Sequence, residues 1–264
     1  IENAASPRLL QPLDIQNYLS KQSIDVEAEK KPKKKESTVP KTRLAVKRKN
    51  TLIGLYSPKP SKKPYLILEE LRRKHGLLFC PSCGESGKPG TLDHYLPKSE
   101  FPELSVVIAN LTPMCSECQG RKSSDYKNAD GKKLFIHPYF DAIDEPIVSL
   151  RIMPPFNSPN RFEVSIVEEI GEPLKSLALR HIVGIDFNER FAEFCRLEYI
   201  NLLSVFSEER EEESPNTAER IIRRFFLKAQ KQSANRWEAI FYRGILEDVS
   251  LLDYLDNGKL PEHL

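Results

Sequence analysis

The chain lacks several things that would have set its class at once. It has no run of about eighteen apolar residues, which excludes an ordinary membrane-spanning helix. It has no GxxxxGK[ST] motif, so any nucleotide control would have to come from a partner. Neither a secretory signal nor an internal repeat is visible, and a cytoplasmic setting is expected. Charge of one sign is not in excess: the formal net charge is +2, so overall balance does not mark a nucleic-acid binder. Cysteine is scarce, with five in 264 residues. Without a secretory signal, so few cysteines read as a metal site rather than a disulfide framework.

The distribution of charge says more than its sum. From Glu29 to Asn50 (EKKPKKKESTVPKTRLAVKRKN) ten Lys or Arg stand against two Glu, with prolines at 32 and 40 and no aromatic residue. This reads as a flexible basic arm spanning residues 1–50, either simply solvated or following phosphates with salt-sensitive affinity. Within it a short amphipathic piece, LLQPLDIQNYL, precedes the basic run.

Beyond the arm the pattern predicts an α+β protein. Apolar residues at helical spacing run from Pro64 through YLILEELRRKHG, with His75-Gly76 as a stop. LLFCPSCG reads as a knuckle, GKPGTLDHYLPKSEF as one or two short strands, and Ser116–Lys127 as a polar, basic helix. Residues 147–153 and 161–168 alternate apolar and polar positions around PPFNSPN, which predicts a β-hairpin. From Pro173 to about Phe206 one long helical pattern runs, with a break near Gly184. Ser214–Thr217 caps a helix over TAERIIRRFFLKAQKQ, and NRWEAIFYRGILEDVSLLDYL forms the last one. Two units are expected, over residues 51–145 and 146–264. Cys195 and Trp237 read as core residues, as does His137 in LFIHPYFD.

Four cysteines form two CxxC pairs, Cys80/Cys83 and Cys115/Cys118. Each such turn presents two sulfurs on one side, and two turns make the tetrahedral set that a structural Zn²⁺ prefers. The 31 residues between them, 84–114, carry Asp93, His94 and Asn110. Histidine can deprotonate water near neutral pH, while a carboxylate and an amide oxygen are hard ligands for Mg²⁺ or Mn²⁺. Neighbouring strand residues face opposite ways, so Asp93 would hold the ion while His94 faces the water. Asn110 would complete the metal site or fix the histidine. Lys98, Arg121, Lys122 and Lys127 are placed to neutralise backbone phosphates.

The order DHxxPK (Asp93–Lys98), Asn110-Leu-Thr-Pro113 and CxxCQxxK (Cys115–Lys122) resembles the HNH nuclease family, whose fold is a zinc-stapled ββα-metal module. The resemblance covers roughly Leu78–Lys127. It implies His94 as general base, Asp93 as a ligand of the catalytic divalent metal, and Asn110 as a second ligand or a His-orienting group. Gln119 stands where the family usually has His or Asn; its amide oxygen could still serve as a ligand. The implied activity is DNA phosphodiester hydrolysis. The general layout is similar to HNH proteins encoded beside an ATPase in anti-phage systems of the Septu or retron-associated kind. A partner ATPase or a homodimer is therefore expected, with the helical C-terminal region as docking surface. The alternative is a non-catalytic, zinc-stabilised module that binds nucleic acid or a protein partner.

Overall fold

The computed structural model describes residues 41–141, 143–159 and 161–262. The stretch LLQPLDIQNYL and the basic run before Lys41 lie outside the described residues. The last ten residues of that run are helical: α1 spans Lys41–Gly54, and its residues 43–50 are exposed. α2 (Pro64–Arg73) begins on a proline at its first position, where no backbone N–H is needed. The chain leaves the helix through Gly76 at φ +71.

The centre of the chain forms a ββα unit. β1 (Thr91–His94) pairs antiparallel with β2 (Leu111–Met114), in a register that sets Asp93 opposite Thr112 and His94 opposite Leu111. α3 (Ser116–Lys122) follows at once, and the Cys115 sulfur caps it by accepting from the Cys118 N–H. Alternation along β1 gives each face its own cover. Leu92 and Leu111 form a small core with Leu68 of α2, joined by Tyr56, Leu71 and Val106. The opposite face, carrying Asp93, lies against α3.

A second antiparallel pair, β3 (Val148–Ile152) and β4 (Phe162–Ile166), forms the expected hairpin. Its inward residues Val148, Leu150, Ile152 and Ile166 are buried. Five helices complete the chain: α4 (Leu174–Gly184), α5 (Phe187–Glu211), α6 (Ala218–Gln230), α7 (Trp237–Leu246) and α8 (Val249–Asn257). The long pattern from Pro173 does break after Gly184. Thr217 caps α6 by accepting from the Arg220 N–H. The single last helix expected from the pattern is two, because Asp248 accepts from the Leu251 N–H and starts α8 anew. Gly244 lets α7 lie directly on β3, since a Cβ there would stand 2.5 Å from the Leu150 carbonyl oxygen.

One large core joins the hairpin to these helices, and it also contains Cys80, Cys83, Met114 and Cys118. The cysteine knuckles are therefore continuous with the interior of the C-terminal half. Phe187, Phe191 and Phe194 surround Trp237, with ring centroids 5.4–6.2 Å from the indole. Cys195 is fully buried, and burial pushes its thiol up and out of the reactive range.

Candidate metal centre and catalytic site

The two CxxC turns converge. Their four sulfurs lie within 4.8 Å of one another, and Cys83 Sγ is 3.9 Å from Cys115 Sγ. A disulfide needs about 2.05 Å, so these are free thiols. Zn–S bonds of about 2.3 Å in a tetrahedron place sulfurs about 3.8 Å apart, so the spacing fits one zinc ion. Backbone N–H groups already face the sulfurs: Cys115 N donates to Cys80 Sγ at 3.4 Å and Cys118 N to Cys115 Sγ at 3.4 Å. These four cysteines could hold a zinc ion, and as a closed all-sulfur set they would leave no position for a substrate.

Asp93 and His94 emerge on opposite faces of β1, each into a different environment. The His94 ring lies on the Tyr56 side, with centroids 4.3 Å apart in an edge-on arrangement. Its Nε2 is 3.0 Å from the Ser105 carbonyl oxygen. A carbonyl can only accept, so Nε2 carries the proton and Nδ1 is left with a free lone pair. Burial holds the imidazole down at about 4, and the charges of Lys98, Lys122 and Arg72 push the same way. The ring is neutral at physiological pH.

Ser105 is itself fixed, its hydroxyl sharing one proton between the Leu52 and Pro102 carbonyl oxygens, 2.7 and 2.6 Å away. Tyr56 donates its hydroxyl to the Leu92 carbonyl at 2.6 Å, and its ring is flanked by Lys98 and Arg72 at 4.3 and 4.6 Å. Tyr56, Arg72 and Ser105 thus shape the histidine pocket without belonging to the motif that points to it.

On the other face, Asp93 is buried and meets Lys122. The two side chains are 6% and 1% exposed, with Nζ 3.0 Å from Oδ2. Nζ also donates to the His94 carbonyl at 2.8 Å, so the ammonium bridges the carboxylate and the β1 backbone. Burial raises the Asp93 carboxyl; Lys122, the His94 backbone and Gln119 oppose the rise. Gln119, half-buried in the middle of α3, is the amide beside Asp93.

Asn110 is not beside the carboxylate. Its Oδ1 accepts from the Leu96 N–H at 2.7 Å, and its Nδ2 donates to the Leu96 and Leu104 carbonyls at 3.0 and 3.2 Å. With both N–H groups donated and its oxygen accepting once, Asn110 ties the loop after His94 to the segment bearing Ser105. Of the four basic residues expected at phosphates, Lys122 is a correction: it is buried, because α3 turns it inward one turn after Cys118. Arg121 is exposed but pairs with Asp186 at 3.0 Å. Lys98 stands beside the histidine pocket over Tyr56, and Lys127 is exposed beside Tyr126.

His137 is packed as expected among Tyr95, Tyr139 and Phe140, with burial holding it down at about 4.

These elements define an α+β protein in which the four-cysteine cluster beside a ββα unit is continuous with the core of a helical half. No helix among the described residues is long and apolar enough to cross a membrane. No protein-family model and no solved structure matches the chain. Two curated proteins are similar to parts of it. Protein ea31 of Escherichia phage lambda is 39% identical over 62 residues, 24% of this chain and 21% of ea31. Septu protein PtuB of Bacillus thuringiensis is 30% identical over 102 residues, 38% of this chain and 34% of PtuB. The matched stretches thus cover about a fifth and about a third of these relatives' own lengths.

Proposed function

We propose that the chain is a metal-dependent endonuclease of the HNH class that hydrolyses DNA phosphodiester bonds, and that it acts in anti-phage defence. The observation that carries this reading is the His94 ring: its Nε2–H is committed to the Ser105 carbonyl, so Nδ1 is a neutral base fixed in direction. The similarity to a Septu protein supports the defence setting.

In the proposed reaction, His94 Nδ1 takes a proton from water as its oxygen attacks phosphorus, and the 3′ oxygen leaves. Asp93 and Gln119 would hold a Mg²⁺ or Mn²⁺ ion, which when bound supplies Lewis-acid stabilisation of the scissile phosphate and the leaving oxygen. Two protein oxygens suit an ion that keeps several of its waters. Asn110 acts on His94 by fixing the loops around it, and lies outside the donor set. Lys98 and Arg72, beside the Tyr56 ring, would receive the substrate's phosphates, with Lys127 and the exposed basic face of α1 further out. Residues 146–264 would present the surface for a partner, an ATPase or a second copy of the chain.

One observation favours a second reading, a zinc-stabilised module that binds nucleic acid or protein without cutting: Lys122 already supplies the positive charge beside Asp93. Supercoiled plasmid incubated with Mg²⁺ or Mn²⁺ separates the two. Wild type is expected to nick, and His94→Ala to lose about 10²–10⁴-fold in rate. Equal nicking by both proteins, or none by either with several metals and substrates, would overturn the nuclease reading.

A further inference from the structure

The zinc-type centre has a neighbour that the motif does not contain. Arg190, on the first turn of α5, reaches across to the sulfurs from the helical half. Its NH1 donates to Cys118 Sγ at 3.4 Å, and its NH2 lies 3.7 Å from Cys115 Sγ and 3.8 Å from Cys83 Sγ. The same guanidinium pairs with Glu85, two residues after Cys83, and stands 5.5 Å from the centre of the Trp237 ring. Its side chain is 13% exposed.

The first knuckle is held by the same half of the chain at three successive carbonyls. His181 Nε2 donates to the Ser82 oxygen at 2.7 Å, Trp237 Nε1 to the Cys83 oxygen at 2.7 Å, and the Trp237 backbone N–H to the Gly84 oxygen at 3.2 Å. Position 84 must be glycine, at φ +82, because Asn235 passes so close that a Cβ would stand 2.1 Å from its carbonyl oxygen. Four thiolates around Zn²⁺ carry a net charge of −2, and Glu85 adds another negative charge. A guanidinium with several directed N–H groups suits such an anion better than a point charge would.

We propose that Arg190 is an outer-sphere partner of the zinc–thiolate centre, and that through it the metal is the joint fastening the ββα unit to the C-terminal helices. The proposal rests on the zinc reading of the four cysteines and is independent of the nuclease reading. Zinc in this chain then does more than close a small fold. Its loss removes the thiolate anion from Arg190, leaving Glu85, and loosens α5 and α7 from the knuckle. Trp237, the single tryptophan, reports that loosening directly.

The test uses the full chain loaded with one zinc, with a colorimetric chelator to follow release and Trp237 emission recorded in parallel. In wild type the emission is expected to shift to the red in the same kinetic phase as zinc release. Arg190→Gln is expected to release zinc about 10–100-fold faster, the range for an outer-shell partner, and Arg190→Lys to lie between it and wild type. Arg243→Gln is the control: Arg243 also cross-links the helical half, to the Val148 and Ala234 carbonyls, but touches no sulfur. It is expected to release zinc at the wild-type rate.

Equal release by the Arg190 and Arg243 variants, or emission unmoved as zinc leaves, would overturn the proposal. Should Arg190→Gln not fold, release from Arg190→Lys at the wild-type rate would overturn it as well. Folded protein that takes up no zinc would overturn the zinc reading itself, and the proposal with it.

Discussion

Replacing Lys122 by methionine isolates the most buried ion pair among the described residues. The substitution keeps most of the aliphatic stem and removes the charge. Lys122 and Asp93 are 1% and 6% exposed, and the ammonium lies 3.0 Å from Oδ2. Deleting one partner of such a buried pair leaves the other charge uncompensated, which costs about 3–5 kcal/mol. About 1 kcal/mol of that range is the lost bond to the His94 carbonyl. Burial already raises the Asp93 carboxyl, and without Lys122 it rises further.

The sign of the pH dependence follows. A native carboxyl titrating above its unfolded value binds protons that the unfolded chain does not. The variant's deficit is therefore largest at neutral pH and shrinks as pH falls through the raised value. Urea unfolding of zinc-loaded protein, followed by circular dichroism, measures the gap between wild type and variant at each pH. The double variant Asp93→Asn/Lys122→Met removes both charges and is expected to be destabilised by no more than about 2 kcal/mol, which gives the pair a clear coupling energy. A single-variant deficit below about 1 kcal/mol at neutral pH, or a double variant no better than the sum of its parts, would refute the reasoning.

Further expectations concern separate parts of the site. Asn110→Ala should cost about 2–3 kcal/mol in the same unfolding assay, because it removes one accepted and two donated hydrogen bonds between partly buried loops, and nicking should fall with it. Because burial holds His94 at about 4, its base form persists down to mildly acidic pH. The acid limb of the nicking rate should therefore lie near pH 4–5, whereas a limb near 6.5 would mean an exposed histidine. Gly84→Ala should destabilise by about 3 kcal/mol or more, read as lost soluble yield and a lowered midpoint, since it combines a left-handed backbone with a collision against Asn235. Mass spectrometry of carefully prepared protein should find about one zinc per chain, and Cys118→Ser should lower that content.

What was legible in the sequence is mostly what depends on neighbours along the chain. The CxxC turns, the Thr217 cap and the β3–β4 hairpin follow from local chemistry, and each forms at its expected place. The convergence of the two cysteine pairs follows from the metal chemistry they share. The contacts that complete the site come from far away: Tyr56 lies 38 positions before His94, and Arg190 lies 72 after Cys118.

Some of this had a signal. Cys118 and Lys122 are four apart on one helix, so a cysteine facing the core turns the lysine inward too. Likewise Arg190, three after Phe187 and four before Phe194, borders the apolar stripe of its helix, and a charge there points to a partly buried counter-charge. Asn110 shows the opposite limit. The sequence allowed it two roles, metal ligand or positioning group, and only the path of the loop at Leu96 and Leu104 places its amide against backbone.

The division of β1 into two environments also bears on how the proposed cutting could be controlled. His94 faces a pocket built by the linker after α1 and by Ser105, all within the N-terminal part of the chain. Asp93 faces α3, whose Cys118 lies in the zinc-type centre under Arg190. The proposed base is thus anchored on one side, while the carboxylate is coupled through α3 to the cysteine centre beside the helical half. A partner that moved α5 or α7 would act on Lys122 and Asp93 before it touched His94. Metal affinity at Asp93 would then respond to such a partner more strongly than the acid limb set by His94, which feels Lys122 only through its own carbonyl and as a minor charge. Measuring Mg²⁺ dependence and pH profile with and without a candidate partner separates these effects, and a partner that shifts only the pH profile would contradict this coupling.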